Sequence, residues 1–188
     1  MKIYTLIAGV NGVGKSSLRG VLEGQGVMLG NIIDPDAIAL KYGAGGLKAG
    51  GQAIREIEKC FTSDASFTQE STLSGHYIEH NLKRAKKQGY YISLIYVGLN
   101  SLEDSITRIS NRVRKGGHDI PVRDVERRYK NRFRALQKMY PYFDEITFYD
   151  NDNGFVKVAE VRDRVFRCTN GYRPAWIMEL ARELGFGT

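Results

Sequence analysis

Residues 9–16 read Gly9-Val10-Asn11-Gly12-Val13-Gly14-Lys15-Ser16, a full match to the phosphate-loop pattern G-x-x-x-x-G-K-S/T. The pattern needs a strand before it and a helix after it. Ile3 to Ala8 is a short apolar run with β-branched and aromatic residues, and Lys15 to Gly24 carries Leu18, Val21 and Leu22 at helical spacing. The glycines let successive N–H groups face one anion, and the following helix adds its positive end. Lys15 is expected to reach β- and γ-phosphates and the Ser16 hydroxyl to bind Mg²⁺. Nucleotide contacts are therefore expected from Gly9, Asn11, Gly12, Val13, Gly14, Lys15, Ser16 and Ser17. The plainer alternative is a Gly-rich turn, and the position between a predicted strand and a predicted helix favours nucleotide binding.

The rest of the chain continues the alternation. A short strand near Asn31 to Asp34 ends in Asp34-Pro35-Asp36, and Gly43 to Gly51 reads as a loop or turn series before a helical stripe of Ala53, Ile54, Ile57 and Phe61. Ala65 to Gln69, Tyr91 to Leu99, Glu145 to Tyr149 and Phe155 to Val158 read as further strands. Gly75 to Gln88, Leu102 to Arg114, Val122 to Met139 and Ala175 to Leu184 read as helices. This spacing is that of βαβ units, which predicts an α/β class with a doubly wound, mainly parallel sheet and helices on both faces. With 188 residues and 42% hydrophobic content, the expectation is a single domain over residues 1–188.

Charge is distributed unevenly. Between Arg108 and Lys138, eight Arg and three Lys stand against Asp119, Asp124 and Glu126, a local charge of +8 in a chain whose net charge is +7. A confined excess suggests a local anion site, for nucleotide phosphate or nucleic acid. Cys60 and Cys168 are far apart in sequence and read as two reduced thiols, which with the lack of an apolar run of spanning length predicts a cytoplasmic protein with no membrane partner.

Among phosphate-loop proteins, a GTPase would carry D-x-x-G and N-K-x-D-type motifs, and neither is found. No Walker B acid is obvious, since Tyr91 to Leu99 ends in Gly98-Leu99-Asn100. Small size and a late basic helical region suggest a kinase with a lid, at about residues 108–138. The phosphate loop, Asp34-Pro35-Asp36-Ala37-Ile38-Ala39, Phe67 to Gly75, Arg112-Val113 with Gly116 to Pro121, and Arg127-Arg128-Tyr129 together resemble the zeta toxin family, most closely its short chromosomal members. The resemblance runs from residue 1 to about Asn151. It implies a P-loop kinase fold that uses ATP and Mg²⁺, with a UDP-linked amino sugar as the acceptor in the better-known members and an antitoxin as partner of the toxin relatives. Val10, Ser71 and Gly51 stand where Pro, Thr and Arg are expected.

The resemblance implies Asp36 as general base; its plainer role, after Pro35 and before an apolar helical stretch, is an N-cap. Asp34 is expected at Mg²⁺, at the substrate or only in the turn. Glu70, Ser71 and Thr72 are expected as substrate ligands, against a strand-end turn with hydroxyl caps. Arg112 and Arg128 are the candidate phosphate contacts of the lid, with His118 and Arg127 beside them at the nucleotide; the alternative is a solvated basic face. His76-Tyr77-Ile78-Glu79-His80 matches an inverted zinc-protease pattern, but zinc would leave the phosphate loop unexplained. The reading is transfer of the ATP γ-phosphoryl to a hydroxyl of a small molecule, and the rival is a nucleotide-binding protein acting on RNA through its basic segment.

Overall fold

A computed structural model of the chain describes residues 1–42, 46–74, 76–117 and 119–186. Seven strands form one sheet: β1 (Ile3–Ala8), β2 (Asn31–Ile33), β3 (Phe67–Ser71), β4 (Tyr91–Gly98), β5 (Glu145–Asp150), β6 (Val156–Arg162) and β7 (Val165–Cys168). Their order is β2-β3-β1-β4-β5-β6-β7, parallel from β2 to β5 and antiparallel from β5 to β7. The short connection from Asp150 to Val156 leaves no room for a crossover, so β6 returns as a hairpin. β7 was not foreseen from the sequence. The helices are α1 (Lys15–Gly24), α2 (Pro35–Tyr42), α3 (Gly46–Thr62), α4 (His76–Lys87), α5 (Leu102–Arg114), α6 (Val122–Lys130), α7 (Arg132–Met139) and α8 (Ala175–Glu183).

β1 and β4 are buried on both faces, as central parallel strands must be. Tyr4, Leu6 and Ala8 of β1 join a cluster with Phe61 of α3, Leu82 of α4, Leu136 of α7 and Trp176 of α8. Ile7 of β1 joins Leu18 and Leu22 of α1 in a second cluster. Helices thus cover both faces. A third, small cluster joins Ile109 of α5, Ile120 of the segment that follows it and Val125 of α6, and gives that region its own core.

Two expectations need correction. Gly46 to Gly51 lie inside α3 rather than in a loop, because burial of Ala49 and Ala53 against the rest of the fold outweighs the helix penalty of glycine, about 1 kcal/mol each; Gly43 to Gly45 lie outside the described residues. Val122 to Met139 is two helices, not one. Asn131 stands between them, and its Nδ2 donates at 2.7 Å to the Arg127 carbonyl that its own backbone N–H also reaches at 3.2 Å, so side chain and backbone share one acceptor there.

Candidate active site

The carboxyl ends of β1, β2 and β3 converge on the phosphate loop, at the edge where open α/β sheets bind ligands. Gly9, Gly12 and Gly14 have φ of 146°, 74° and 95°, and a Cβ at Gly9 would lie 2.3 Å from the Val97 carbonyl oxygen. Only glycine fits there. Asn11 is pinned from two sides: its carbonyl accepts from Ser105 Oγ of α5, and its Oδ1 accepts from Arg128 of α6 at 2.6 Å. Asn151, just past β5, donates Nδ2 to the Val13 carbonyl at 2.8 Å.

Lys15 Nζ donates to the carbonyls of Gly9 and Val10, both at 3.1 Å. Burial holds its ammonium below the ordinary lysine range, against the pull of Glu70, Asp36 and Asp34. Ser16 Oγ donates to Glu70 Oε2 at 2.7 Å, and Arg19 Nε donates to Glu70 Oε1 at 2.8 Å. Burial, with Asp34 close by, pushes the Glu70 carboxyl above its ordinary value, while Ser16, Lys15 and Arg19 pull it down. Glu70 pairs with Ile7 in the strand beside β1. The strand next to the phosphate-loop strand thus brings one acid into direct contact with the loop serine. Among the described residues no group of three His, Cys, Asp or Glu could cage a metal. The hydroxyl of Ser16 and the carboxylates around it suit instead a hard cation that keeps waters and substrate phosphates as most of its ligands, as Mg²⁺ does.

Asp34 Oδ1 accepts from the backbone N–H of Asp36 at 3.0 Å and of Ala37 at 3.2 Å, so the N-cap of α2 is Asp34, not Asp36. Asp34 lies 3.6 Å from Arg19. The side chain of Asp36 is 57% exposed and lies 3.7 Å from Arg112 of α5. Ser71 Oγ accepts from the Leu73 N–H at 2.9 Å, and the hydroxyls of Thr72 and Ser74 share a 2.6 Å hydrogen bond.

Two clefts open onto these groups. One, of about 520 Å³, is lined by the phosphate loop with Ser17, Arg108, Asn111, Arg112, Lys115 and Asn151. The other, of about 550 Å³, runs from Asp34 and Asp36 past Glu70, Ser71 and Thr72 to the α3 residues Ala53, Ile54 and Ile57. Asn11, Lys15, Asp36 and Glu70 line both. Arg112 lines the first and Arg128 the second. Arg127 is not brought here; it is paired with Asp124 on its own helix at 2.9 Å. His118 lies outside the described residues, as does the His76 side chain of the zinc-like pattern, whose His80 is exposed beside Tyr77. Sequence reasoning missed Arg19, Arg108, Lys115 and Asn151. Arg19 follows Lys15, and Arg108 precedes Arg112, by four residues on one helix face, a signal the spacing carries. Asn151 has no local signal, because only the β4 to β5 pairing brings it to the loop.

No family model matches the chain. Among solved structures, it is similar to a chain of the AvrRxo1-ORF1:ORF2 complex with ATP (TM-score 0.68, 18% identity), covering 99% of this chain and 64% of that one. It is also similar to a chain of the PezAT chromosomal toxin-antitoxin system of Streptococcus pneumoniae (TM-score 0.65, 17% identity, 95% and 76% covered). A putative kinase from Chloroflexus aurantiacus follows at TM-score 0.53 and 19% identity, with 66% and 76% covered. The chain therefore spans slightly less than two thirds of the AvrRxo1 chain's length. These likenesses give the fold, that of P-loop kinases. An uncharacterized protein of Haemophilus influenzae is 37% identical over 126 residues, which cover 64% of this chain and 88% of that protein. At that identity and coverage, the chain belongs to the same family as the Haemophilus influenzae protein.

Proposed function

We propose that the chain is an ATP-dependent phosphotransferase of the zeta-toxin kind, moving the γ-phosphoryl of ATP to a hydroxyl of a small molecule. One observation carries this reading: two clefts share a wall of Lys15, Asp36 and Glu70, so a triphosphate in one and a hydroxyl in the other face each other across that wall. The phosphates take the N–H groups of the phosphate loop, and Lys15 exchanges its two carbonyl partners for β- and γ-phosphate oxygens. Ser16 Oγ would hold Mg²⁺, which would supply further neutralisation of the phosphates. The acceptor oxygen attacks the γ-phosphorus as the bond to the β,γ-bridging oxygen breaks, and its proton passes to the Asp36 carboxylate. The products are ADP and a phosphate monoester. Arg112 and Arg128, on either side of the transferring group, offset the charge on its equatorial oxygens.

The likeness to an ATP complex and to a putative kinase supports the donor and the reaction class. The resemblance to zeta toxins makes a UDP-amino sugar one acceptor to test. PezAT is a toxin-antitoxin system, and a partner of the antitoxin kind is the corresponding binding partner here. The RNA reading is weaker, because the basic segment does not present one face: Arg108 turns to the carbonyls of Asn151 and Asp152, Arg132 to Glu179 and Lys138 to Glu79.

The test is incubation with γ-labelled ATP and a metabolite pool, with a new labelled species as the expected result. Lys15→Ala removes a cation whose charge burial disfavours, so it is expected to abolish transfer without lowering the melting temperature. Transfer by a folded Lys15→Ala protein at the wild-type rate overturns the reading.

A further inference from the structure

The acceptor cleft is electrically one-sided. Its described cationic lining consists of Lys15 and Arg128. Both sit at the phosphate-loop end, Lys15 at the carbonyls of Gly9 and Val10 and Arg128 at Asn11 Oδ1, where the phosphates of ATP would occupy them. Carboxylates line the same end, at Asp34, Asp36 and Glu70. Beyond them the described lining carries no charge: Ala53, Ile54 and Ile57 form an apolar wall on α3, Ile78 and the ring of Tyr77 continue it on α4, and Ser71, Thr72 and Ser74 supply hydroxyls. A bound triphosphate would make the shared end more negative still. An acceptor with its own phosphate or diphosphate would then place that charge between carboxylates and an apolar wall with no further arginine or lysine in the described lining to meet it, a costly arrangement.

The lining fits an uncharged ring with hydroxyls at its edge. Gln69 adds a fixed donor. Tyr4 Oη donates to Gln69 Oε1 at 2.6 Å, which leaves the amide hydrogens on Nε2 for the cleft that Gln69 lines. An amide donor and a row of hydroxyls opposite an apolar and aromatic wall are how a polyol is held, edge to the polar side and face to the ring.

We infer that the acceptor is an unphosphorylated sugar or other cyclic polyol, and not a sugar phosphate or a sugar nucleotide. This rests on the phosphotransferase reading and narrows it. In the reaction, one ring hydroxyl gives its oxygen to the γ-phosphorus and its proton to Asp36, and ADP leaves.

The experiment divides a metabolite extract on an anion exchanger and offers each fraction to the full chain with γ-labelled ATP and Mg²⁺. Label is expected in products from the unretained, neutral fraction. In that fraction Gln69→Leu is expected to raise KM for the acceptor about 10-fold with KM for ATP unchanged, the size of one lost hydrogen bond. Ile54→Arg, on the partly exposed wall, is expected to lower kcat/KM for the neutral acceptor while ATP binding persists. Transfer confined to the retained fraction, or to added UDP-amino sugar, overturns the inference and leaves the kinase reading standing. Transfer with neither fraction, from a protein that binds ATP, overturns the kinase reading itself.

Discussion

Two aspartates separated by one proline divide two tasks between them. Asp34 holds the first turn of α2 through two backbone N–H groups, while Asp36 is left facing Arg112 at the junction of the clefts. Asp34→Ala is therefore expected to cost about 1 kcal/mol of stability, the usual value of a lost cap. Asp36→Ala and Asp36→Asn are both expected to leave the melting temperature near wild type, to retain ATP affinity and to slow transfer by about 10² to 10⁴. Single-turnover transfer and thermal melts on the three proteins check this; a wild-type transfer rate in Asp36→Asn removes Asp36 as the base. Glu70 gives a pH signature. Its folded carboxyl holds a proton above its ordinary value of 4.5, so the folded chain binds more protons than the unfolded one just above that pH. Stability contributed by Glu70 is thus fully present below 4.5 and is lost as pH rises through the raised value. Glu70→Gln, which cannot titrate, is expected to flatten that part of the stability curve. Parallel curves for wild type and variant in mildly acidic buffer contradict the assignment.

Among the elements, α5 and α6 with their connecting glycines fall largely within the segment of about residues 108–138 that we read as a lid. They carry a small core of their own in Ile109, Ile120 and Val125, and each contributes one arginine to the junction, Arg112 beside Asp36 and Arg128 on Asn11. Arg112→Ala or Arg128→Ala is expected to lower kcat by about 10³ with a smaller change in ATP affinity, the effect of removing an arginine that meets charge only in the transition state. Gly117 fixes how Arg112 lies. A Cβ there would sit 2.5 Å from Arg112 Cγ and 3.0 Å from its carbonyl oxygen. Gly117→Ala is expected to reproduce most of the Arg112→Ala loss in kcat while a thermal melt shows the core intact; full activity in Gly117→Ala shows that the lid tolerates another arginine placement.

Across the whole molecule, α8 closes the core rather than offering a face to a partner. Trp176 is 2% exposed, its Nε1 donates to Asp150 Oδ1 at 2.7 Å, and Gly98 leaves room for its ring, which a Cβ at Gly98 would approach to 2.4 Å. Trp176→Ala is expected to cost about 3–5 kcal/mol, read by denaturant unfolding, with Asp150 losing one of its donors and keeping those of Asp152 N–H and Tyr172 Oη; a cost below about 1 kcal/mol would mean that α8 is peripheral. How the molecule came to be legible differs from part to part. The phosphate loop, the α/β class and most element positions follow from residues close in sequence, because glycine conformations, helical spacing and apolar runs are local properties. The split of Val122 to Met139 at Asn131 and the helical state of Gly46 to Gly51 depend on side-chain bonding and burial that spacing does not encode. The strand order was decided only in three dimensions, and with it the placing of Glu70 against Ser16, of Asn151 against Val13 and of Asp34 rather than Asp36 under the α2 N–H groups. The physical reason is that pairing between strands far apart in sequence is selected by how their faces pack, so the local sequence determined which residues carry chemistry, and the tertiary structure decided which of them meet.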